Sequence, residues 1–365
     1  MPEVAYVPSD GRDRWWSLTI AKLYRIKACC FIWIISVMIF LKLFFWVTGA
    51  LISSAPAQPP TLEYDQFRRS RNLVEYLNNI EVLIKPPSTV CEGSGDVRLV
   101  VLVASAPPNA AARHAIRRTW GKHLPTFFVL GLTADEDETL EAMTTEATSF
   151  SDMVVYDFVE QRANQTLKTA LMLRWVRRRC PQAGAVFRAR DDVLVNPWAM
   201  DGVLRTHPNA DLIGYKSNNS KVTRDEDSEW FLPKWLFHED TIPEYLKGTG
   251  YIIKGDQIER ILTAAEKIPL HNLEDVYFTY NVAKVGLNLT LDHDQRLKPQ
   301  KPWFHTTCSY WVLASTCGLA PDEMVEVWSK VAQLAEQSKK GDIDCSLFHS
   351  LFQDNFILAA IKNKI

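Results

Sequence analysis

The sequence predicts a doubly wound α/β sheet behind a single N-terminal transmembrane helix. From Val97 to Phe187, short aliphatic and β-branched runs alternate with amphipathic stretches, the order that builds helices onto a mostly parallel sheet. A nearly continuous apolar run, Ala28 to Ile52, comes before them. No internal repeat or low-complexity tract is visible. Ordinary hydrophobic (47%) and charged (23%) fractions exclude a disordered chain, and a net charge of −2 gives no reason to expect a nucleic-acid partner.

The apolar run, interrupted only by Lys42, is about 25 residues long, and about 20 suffice to cross a bilayer as a helix. Arg12, Arg14, Lys22, Arg25 and Lys27 precede it, while Ser53 to Phe67 carries no Lys or Arg. The positive-inside rule therefore makes residues 1–27 a cytoplasmic tail and 28–52 a signal-anchor, with the remainder lumenal or outside. A cleaved signal peptide is the competing reading, but the apolar stretch is too long and has no small-residue cleavage site before Ser53-Ser54-Ala55.

Residues 53–95 read as a stem. Ala55-Pro56-Ala57-Gln58-Pro59-Pro60 is linker chemistry, and Leu62 to Leu83 is mildly amphipathic, a stem helix ended by Pro86-Pro87. The globular domain is expected from about Asp96. Sequons at Asn164, Asn218 and Asn288 agree with a lumenal domain. Of seven cysteines, Cys29 and Cys30 belong to the anchor, leaving an odd five in an oxidising compartment. At least one stays unpaired or pairs between chains, and Cys308–Cys317 is the expected local bridge.

Within the domain, Val97 to Ala104 is a buried strand and Ala110 to Trp120 a helix, with Arg113 and Arg117 on one face at i, i+4 spacing. Basic side chains just after a first strand suit a diphosphate; an ordinary solvated helix face explains them as well. Strands at Thr126 to Leu130 and Met153 to Tyr156 flank an acidic helix, Asp135 to Glu146. The next helix, Asn164 to Arg179, buries Leu167, Leu171 and Trp175 and places Lys168 beside that stripe, within reach of a phosphate or simply exposed. Further on, Trp198 to His207 is a short helix and Asp211 to Gly214 a short strand. Residues 215–243 read as a long irregular segment whose Trp230, Phe231, Trp235 and Phe237 offer flat faces to sugar rings.

The chain is organised around Arg188-Ala189-Arg190-Asp191-Asp192. The strand Gly184 to Phe187 should deliver Asp191 and Asp192 to the carboxyl end of the sheet, where open α/β sheets bind ligands. Adjacent carboxylates there suit a divalent cation carrying a diphosphate, although an Asp-Asp turn is the plainer explanation. Gly248-Thr249-Gly250 permits close backbone approach to a ligand, or merely a turn. Asn272-Leu273-Glu274-Asp275 opens a helix, so its acids either complement the helix dipole or present a general base to the crevice. His305, after Trp303-Phe304, is either a packed histidine or a third metal ligand.

The order of these pieces resembles the β-1,3-galactosyltransferase and β-1,3-N-acetylglucosaminyltransferase family, including the Fringe-type enzymes. The matching segments are Val97 to Ala106; Arg113-His114-Ala115-Ile116-Arg117-Arg118-Thr119-Trp120-Gly121; Asp157-Phe158 through Thr169; Cys180-Pro181; Asp191 to Asn196; Gly248-Thr249-Gly250-Tyr251; and Glu274-Asp275-Val276-Tyr277. The resemblance implies a single-pass Golgi type II membrane protein with a GT-A catalytic domain over residues 96–300. It implies β-1,3 transfer, with inversion, of galactose or an N-acetylhexosamine from a UDP-sugar to a glycan acceptor on protein or lipid. It further implies a Mn²⁺ held by Asp192 and, on a looser match, His305. Arg113, Arg117, Lys168, Asp191 and Gly250 would serve the donor, and Asp275 would be the catalytic base.

Two departures stand out. The family usually has three consecutive aspartates, and Arg190 stands in place of the first, a cation that should weaken metal binding. The cysteine that usually precedes the Gly-Thr-Gly-Tyr turn is missing, with Leu246 and Lys247 in that neighbourhood. Residues 301–365, outside the resemblance, read as a helical extension over Trp311 to Leu319 and Pro321 to Leu334, packed on the domain. Arg190 also motivates the alternative of a catalytically silent Golgi protein that binds a glycan or a partner enzyme.

Overall fold

The computed structural model describes residues 33, 35–44, 70–87, 91, 97–133, 136–302, 305–340 and 345. The chain divides into two units, residues 1–59 and 60–365. In the first, residues 35–44 are helical, and Met38 and Phe40 are exposed. Among the described residues no helix is long and apolar enough to cross a membrane. Most of the expected 28–52 span, the cytoplasmic tail and Trp303-Phe304 lie outside them.

In the second unit the chain runs α1 (Leu73–Asn79), β1 (Val82–Ile84), β2 (Val100–Ala104), α2 (Ala110–Arg118), β3 (Thr126–Leu132), α3 (Glu136–Phe150), β4 (Met153–Val159), α4 (Gln165–Arg179), β5 (Ala185–Arg190), β6 (Leu194–Val195) and α5 (Pro197–Thr206). It continues through β7 (Leu212–Lys221), β8 (Thr241–Lys254), α6 (Ile258–Ala265), a wide π-type helix α7 (Val276–Gly286), β9 (Leu291–His293), β10 (Leu297–Lys298), α8 (Thr307–Trp311), β11 (Ser315–Thr316) and α9 (Pro321–Lys339). One eight-stranded sheet has the order β1-β4-β3-β2-β5-β8-β7-β9, and a small sheet joins β10, β11 and β6. The large sheet is mixed: β4, β3, β2 and β5 are parallel, while β8 runs antiparallel to both β5 and β7.

The alternation of side chains along a strand divides the core in two. Val100, Leu102 and Ala104 of β2 join α4, α6 and α7 in one apolar cluster. Leu99, Val101 and Val103 join α2, α5 and α9 in the other. Strands buried on both faces read as continuous apolar runs, which is why the sequence marks β2, β3 and β5 clearly.

Several elements depart from expectation. Leu73 and Leu77 of α1 are core residues, and β1 adds to the sheet edge at Val155 and Tyr156. Residues 70–84 thus pack as part of the domain, with the helix confined to Leu73–Asn79 by the Asn72 cap. Residues 215–243 are not wholly irregular: β7 and β8 stay paired out to Lys221 and Thr241. This end of β7 is solvated on both faces, so it carries no apolar alternation to read. Cys308 bonds Cys345 rather than Cys317, Cys91 bonds Cys180, and Cys317 is a buried free thiol. Between Trp311 and Leu319 the chain forms β11, whose partners β6 and β10 are distant in sequence. Helix α9 packs against α2 as an apolar extension.

Candidate active site

A cavity of about 860 Å³ opens at the carboxyl ends of β2 and β5, a size suited to a nucleotide-sized ligand. Its lining comes from Ala104 to Ala106, the loop after β4 (Glu160 to Arg162), Arg188, Arg190 and Asp191, the Lys247-Gly248-Thr249 turn and Asn272 to Val276. Trp230 and the distal ends of β7 and β8 complete the wall.

Asp191 leaves β5 beside the end of β2. Its Oδ2 accepts hydrogen bonds from Ser105 Oγ and Asn109 Nδ2, both at 2.8 Å. Asp192 does not line the cavity. Its Oδ2 receives Arg190 Nη2 at 2.9 Å and the Gly318 N–H at 3.1 Å, while its Oδ1 is buried without a partner among the described residues.

Across the cavity, Asp275 sits at the start of α7. Its Oδ2 accepts the Gly248 N–H at 2.9 Å and its Oδ1 accepts the Val276 N–H at 2.9 Å. Desolvation pushes its carboxyl above the usual aspartate range, while these two N–H groups, Lys247 and Arg188 pull the other way. The sequence thus makes one acidic residue serve two ends: a first-turn carboxylate that caps its helix also faces the cleft.

Beneath this wall, Arg188 and Glu274 form a buried ion pair at 3.2 Å, and Tyr251 Oη donates to Glu274 Oε1 at 2.5 Å. Arg188 also donates to the Gly248 carbonyl. Gly248 is therefore held from both sides, its N–H by Asp275 and its carbonyl by Arg188. Desolvation raises the Glu274 carboxyl despite Arg188.

The expected donor-binding residues divide. Lys168 lines the cavity but is buried, donating to the Ser105 carbonyl and pairing with Glu160 at 2.6 Å. Burial lowers its pKa, and Glu160 opposes the shift. Arg113 and Arg117 do not line the cavity. Arg113, 1% exposed, pairs with Glu146 at 2.6 Å and donates to Ser105 Oγ and the Ala106 and Pro107 carbonyls. Arg117 pairs with Glu146 and Asp152, both at 2.7 Å. Arg113 ties the Ser105 loop to α3 through Glu146, and Arg117 ties α2 to Glu146 and Asp152, so neither guanidinium is placed to face a diphosphate. Gly250 also stands back from the cavity, since a Cβ there would meet the Phe187 ring at 2.6 Å. The glycine in contact with the site is Gly248.

His305 is exposed, with Nδ1 at 2.9 Å from Tyr310 Oη, and is not part of the cavity wall. The described residues contain no cluster of three or more His, Cys, Asp or Glu able to hold a metal ion. At the two residues expected to hold Mn²⁺, Asp192 Oδ2 already receives a guanidinium while its Oδ1 has no partner among the described residues, and His305 Nδ1 is engaged with a tyrosine.

Arg188, Glu160 and Lys247 are cavity residues that the sequence did not single out, whereas Trp230, expected to offer a face to a sugar ring, and Glu274, one of the acids expected at the crevice, do line it. Arg188 precedes Arg190 by two positions on β5, so strand periodicity carried some signal. The ion partner of Arg188, Glu274, comes from a distant segment and left no local trace, whereas Glu160 lies only eight residues before Lys168.

A galactosyltransferase family model matches residues 111–293, which span this cavity from α2 to β9. Beta-1,3-galactosyltransferase 5 of Mus musculus is 28% identical over 285 residues, covering 76% of this chain and 88% of that protein. The Gorilla gorilla gorilla protein of the same name is 30% identical over 254 residues, covering 67% and 85%. Beta-1,3-galactosyltransferase 1 of Mus musculus is 30% identical over 273 residues, covering 70% and 79%. With the matched segment containing most of the residues that line the cavity, the chain belongs to the β-1,3-galactosyltransferase family.

Proposed function

We propose that this chain is an inverting GT-A glycosyltransferase that moves galactose from UDP-galactose to the 3-hydroxyl of an acceptor sugar in β linkage. The observation that carries the reading is Asp275, a carboxylate on the cavity wall whose pKa is raised by desolvation and whose geometry is fixed by Gly248 and Val276. In this reaction Asp275 takes the acceptor hydroxyl proton as the oxygen bonds to the sugar's C1. The bond from C1 to the diphosphate breaks on the opposite face, and UDP departs with its electron pair. Lys247 belongs to the cavity wall and supplies positive potential for that leaving group. Trp230, 51% exposed, provides an apolar face for the acceptor ring.

A Golgi membrane location fits the apolar run at 28–52 and the two disulfides, which need an oxidising compartment. The test is incubation of the detergent-solubilised full chain with UDP-galactose and a panel of terminal sugars, followed by linkage analysis of the product. A β-1,3-galactoside supports the reading. No product, from protein that binds the acceptor glycans, supports the silent glycan-binding alternative instead.

A further inference from the structure

We propose that the Arg190 guanidinium replaces the divalent cation in this site, so that the chain binds the diphosphate of its donor without metal. This inference rests on the UDP-sugar reading above.

Arg190 is the last residue of β5, lines the cavity, and its side chain is 53% exposed. It stands at the point where two successive carboxylates would otherwise repel a diphosphate. One oxygen of each carboxylate is already engaged by the protein. Asp191 Oδ2 is held by Ser105 and Asn109, and Asp192 Oδ2 by Arg190 and the Gly318 N–H. A metal at Asp192 would have to displace the guanidinium or lie beside it against like-charge repulsion.

Three other cations of the cavity wall are tied to acids: Lys168 to Glu160, Arg188 to Glu274 and Arg162 to Glu229. The Arg190–Asp192 pair is solvent-exposed on the arginine side, and such pairs are weak enough to rearrange around a ligand. A planar guanidinium can then meet two phosphate oxygens at once, with Lys247 on the facing turn as a second cation. The atom that argues for a metal is Asp192 Oδ1, buried and unpartnered among the described residues, and the experiment sets it against Arg190.

Calorimetric titration of UDP into the full-length protein in detergent, with EDTA or with MnCl₂, separates the possibilities. The expected result is binding in EDTA that Mn²⁺ alters by less than about threefold. Arg190→Met should weaken metal-free binding by about 10- to 100-fold, the scale of a lost charge-assisted hydrogen bond, while Arg190→Lys, which keeps the charge but not the planar fork, retains part of it. Thermal melts of both variants exclude unfolding as the cause. UDP binding that requires Mn²⁺, and that Arg190→Met leaves intact, overturns the proposal but leaves the transferase reading standing. Failure of the folded wild type to bind UDP in either condition overturns the transferase reading and this inference with it.

Discussion

Asp275 Oδ2 accepts the backbone N–H of Gly248 at 2.9 Å, and a Cβ at position 248 would lie 3.1 Å from the aspartate's own Cβ. The glycine and the carboxylate therefore occupy one packing unit. Under the proposed mechanism, Asp275→Asn should lower kcat by about 10³-fold while UDP binding is kept, within the range for loss of a general base. Gly248→Ala keeps the carboxylate but must push it by a few tenths of an ångström. A drop of about tenfold in kcat is expected, because small misplacements of a base are costly. Wild-type turnover by Asp275→Asn would remove the residue from the chemistry.

The same carboxylate sets a pH dependence. An ordinary aspartate titrates near 3.9, and desolvation raises Asp275 above that value. The base acts in its ionised form, so kcat/KM should fall on the acid side with a midpoint above that of an ordinary aspartate. The sign for stability is the opposite: a raised carboxyl favours the folded state below the unfolded pKa, and that contribution is lost as pH rises through the folded value. An acid limb that persists unchanged in the residual activity of Asp275→Asn would assign it to another group.

Glu146 holds two arginines, one of them 1% exposed, and its removal strands a buried charge. Glu146→Ala should destabilise the fold by about 3–5 kcal/mol in denaturant titration at neutral pH. Burial alone would raise the Glu146 carboxyl, but Arg113 and Arg117 together pull it below the ordinary range. A depressed carboxyl contributes stability above its unfolded pKa, near 4.3, and loses it as pH falls through the folded value. The gap between wild type and variant should accordingly narrow in acid. A constant gap would mean that Glu146 acts through packing alone.

These two acids show what was legible in the chain. Asp191 and Asp275 were readable because each follows a local pattern: an apolar strand ending in carboxylates, and an acidic first turn of a helix. Arg113 and Arg117 were equally visible on one helix face, but their role depended on Glu146 and Asp152, across a fold that periodicity does not describe. Cys308 was paired by proximity in sequence with Cys317, whereas the bond goes to Cys345, 37 residues away. The paired end of β7 carries no burial alternation, although Ile242 and Tyr245 on the facing end of β8 are buried in a small apolar cluster. Local chemistry was legible, and long-range partnership was not.

The Cys91–Cys180 bond closes a separation of 89 residues and ties the segment after β1 to the end of α4. Cross-links over long loops restrict the unfolded chain, and loss of a native one typically costs about 2–5 kcal/mol. The double variant Cys91→Ser, Cys180→Ser should lower the midpoint of thermal unfolding by several degrees. An unchanged midpoint would show that α1 and β1, already packed on the core, hold this edge without the bond.

Trp230 gives the proposed acceptor face its sharpest test. The Arg162 guanidinium lies 3.9 Å from the ring centroid and is itself paired with Glu229 at 2.7 Å, so the indole is braced from one side. The residue is nonetheless 51% exposed and lines the same cavity as Asp275. Ring contacts between aromatic pairs are worth roughly 0.5–1.5 kcal/mol beyond area burial, and a sugar ring on the indole on the same scale corresponds to about a two- to twelvefold change in binding. Trp230→Ala should therefore raise KM for the acceptor by several fold, with UDP affinity unchanged and kcat affected less. Trp230→Phe, keeping a flat face, should recover part of the loss. If the alanine variant instead weakens UDP and leaves acceptor KM alone, the indole faces the donor, and the acceptor must enter past the Lys247 turn.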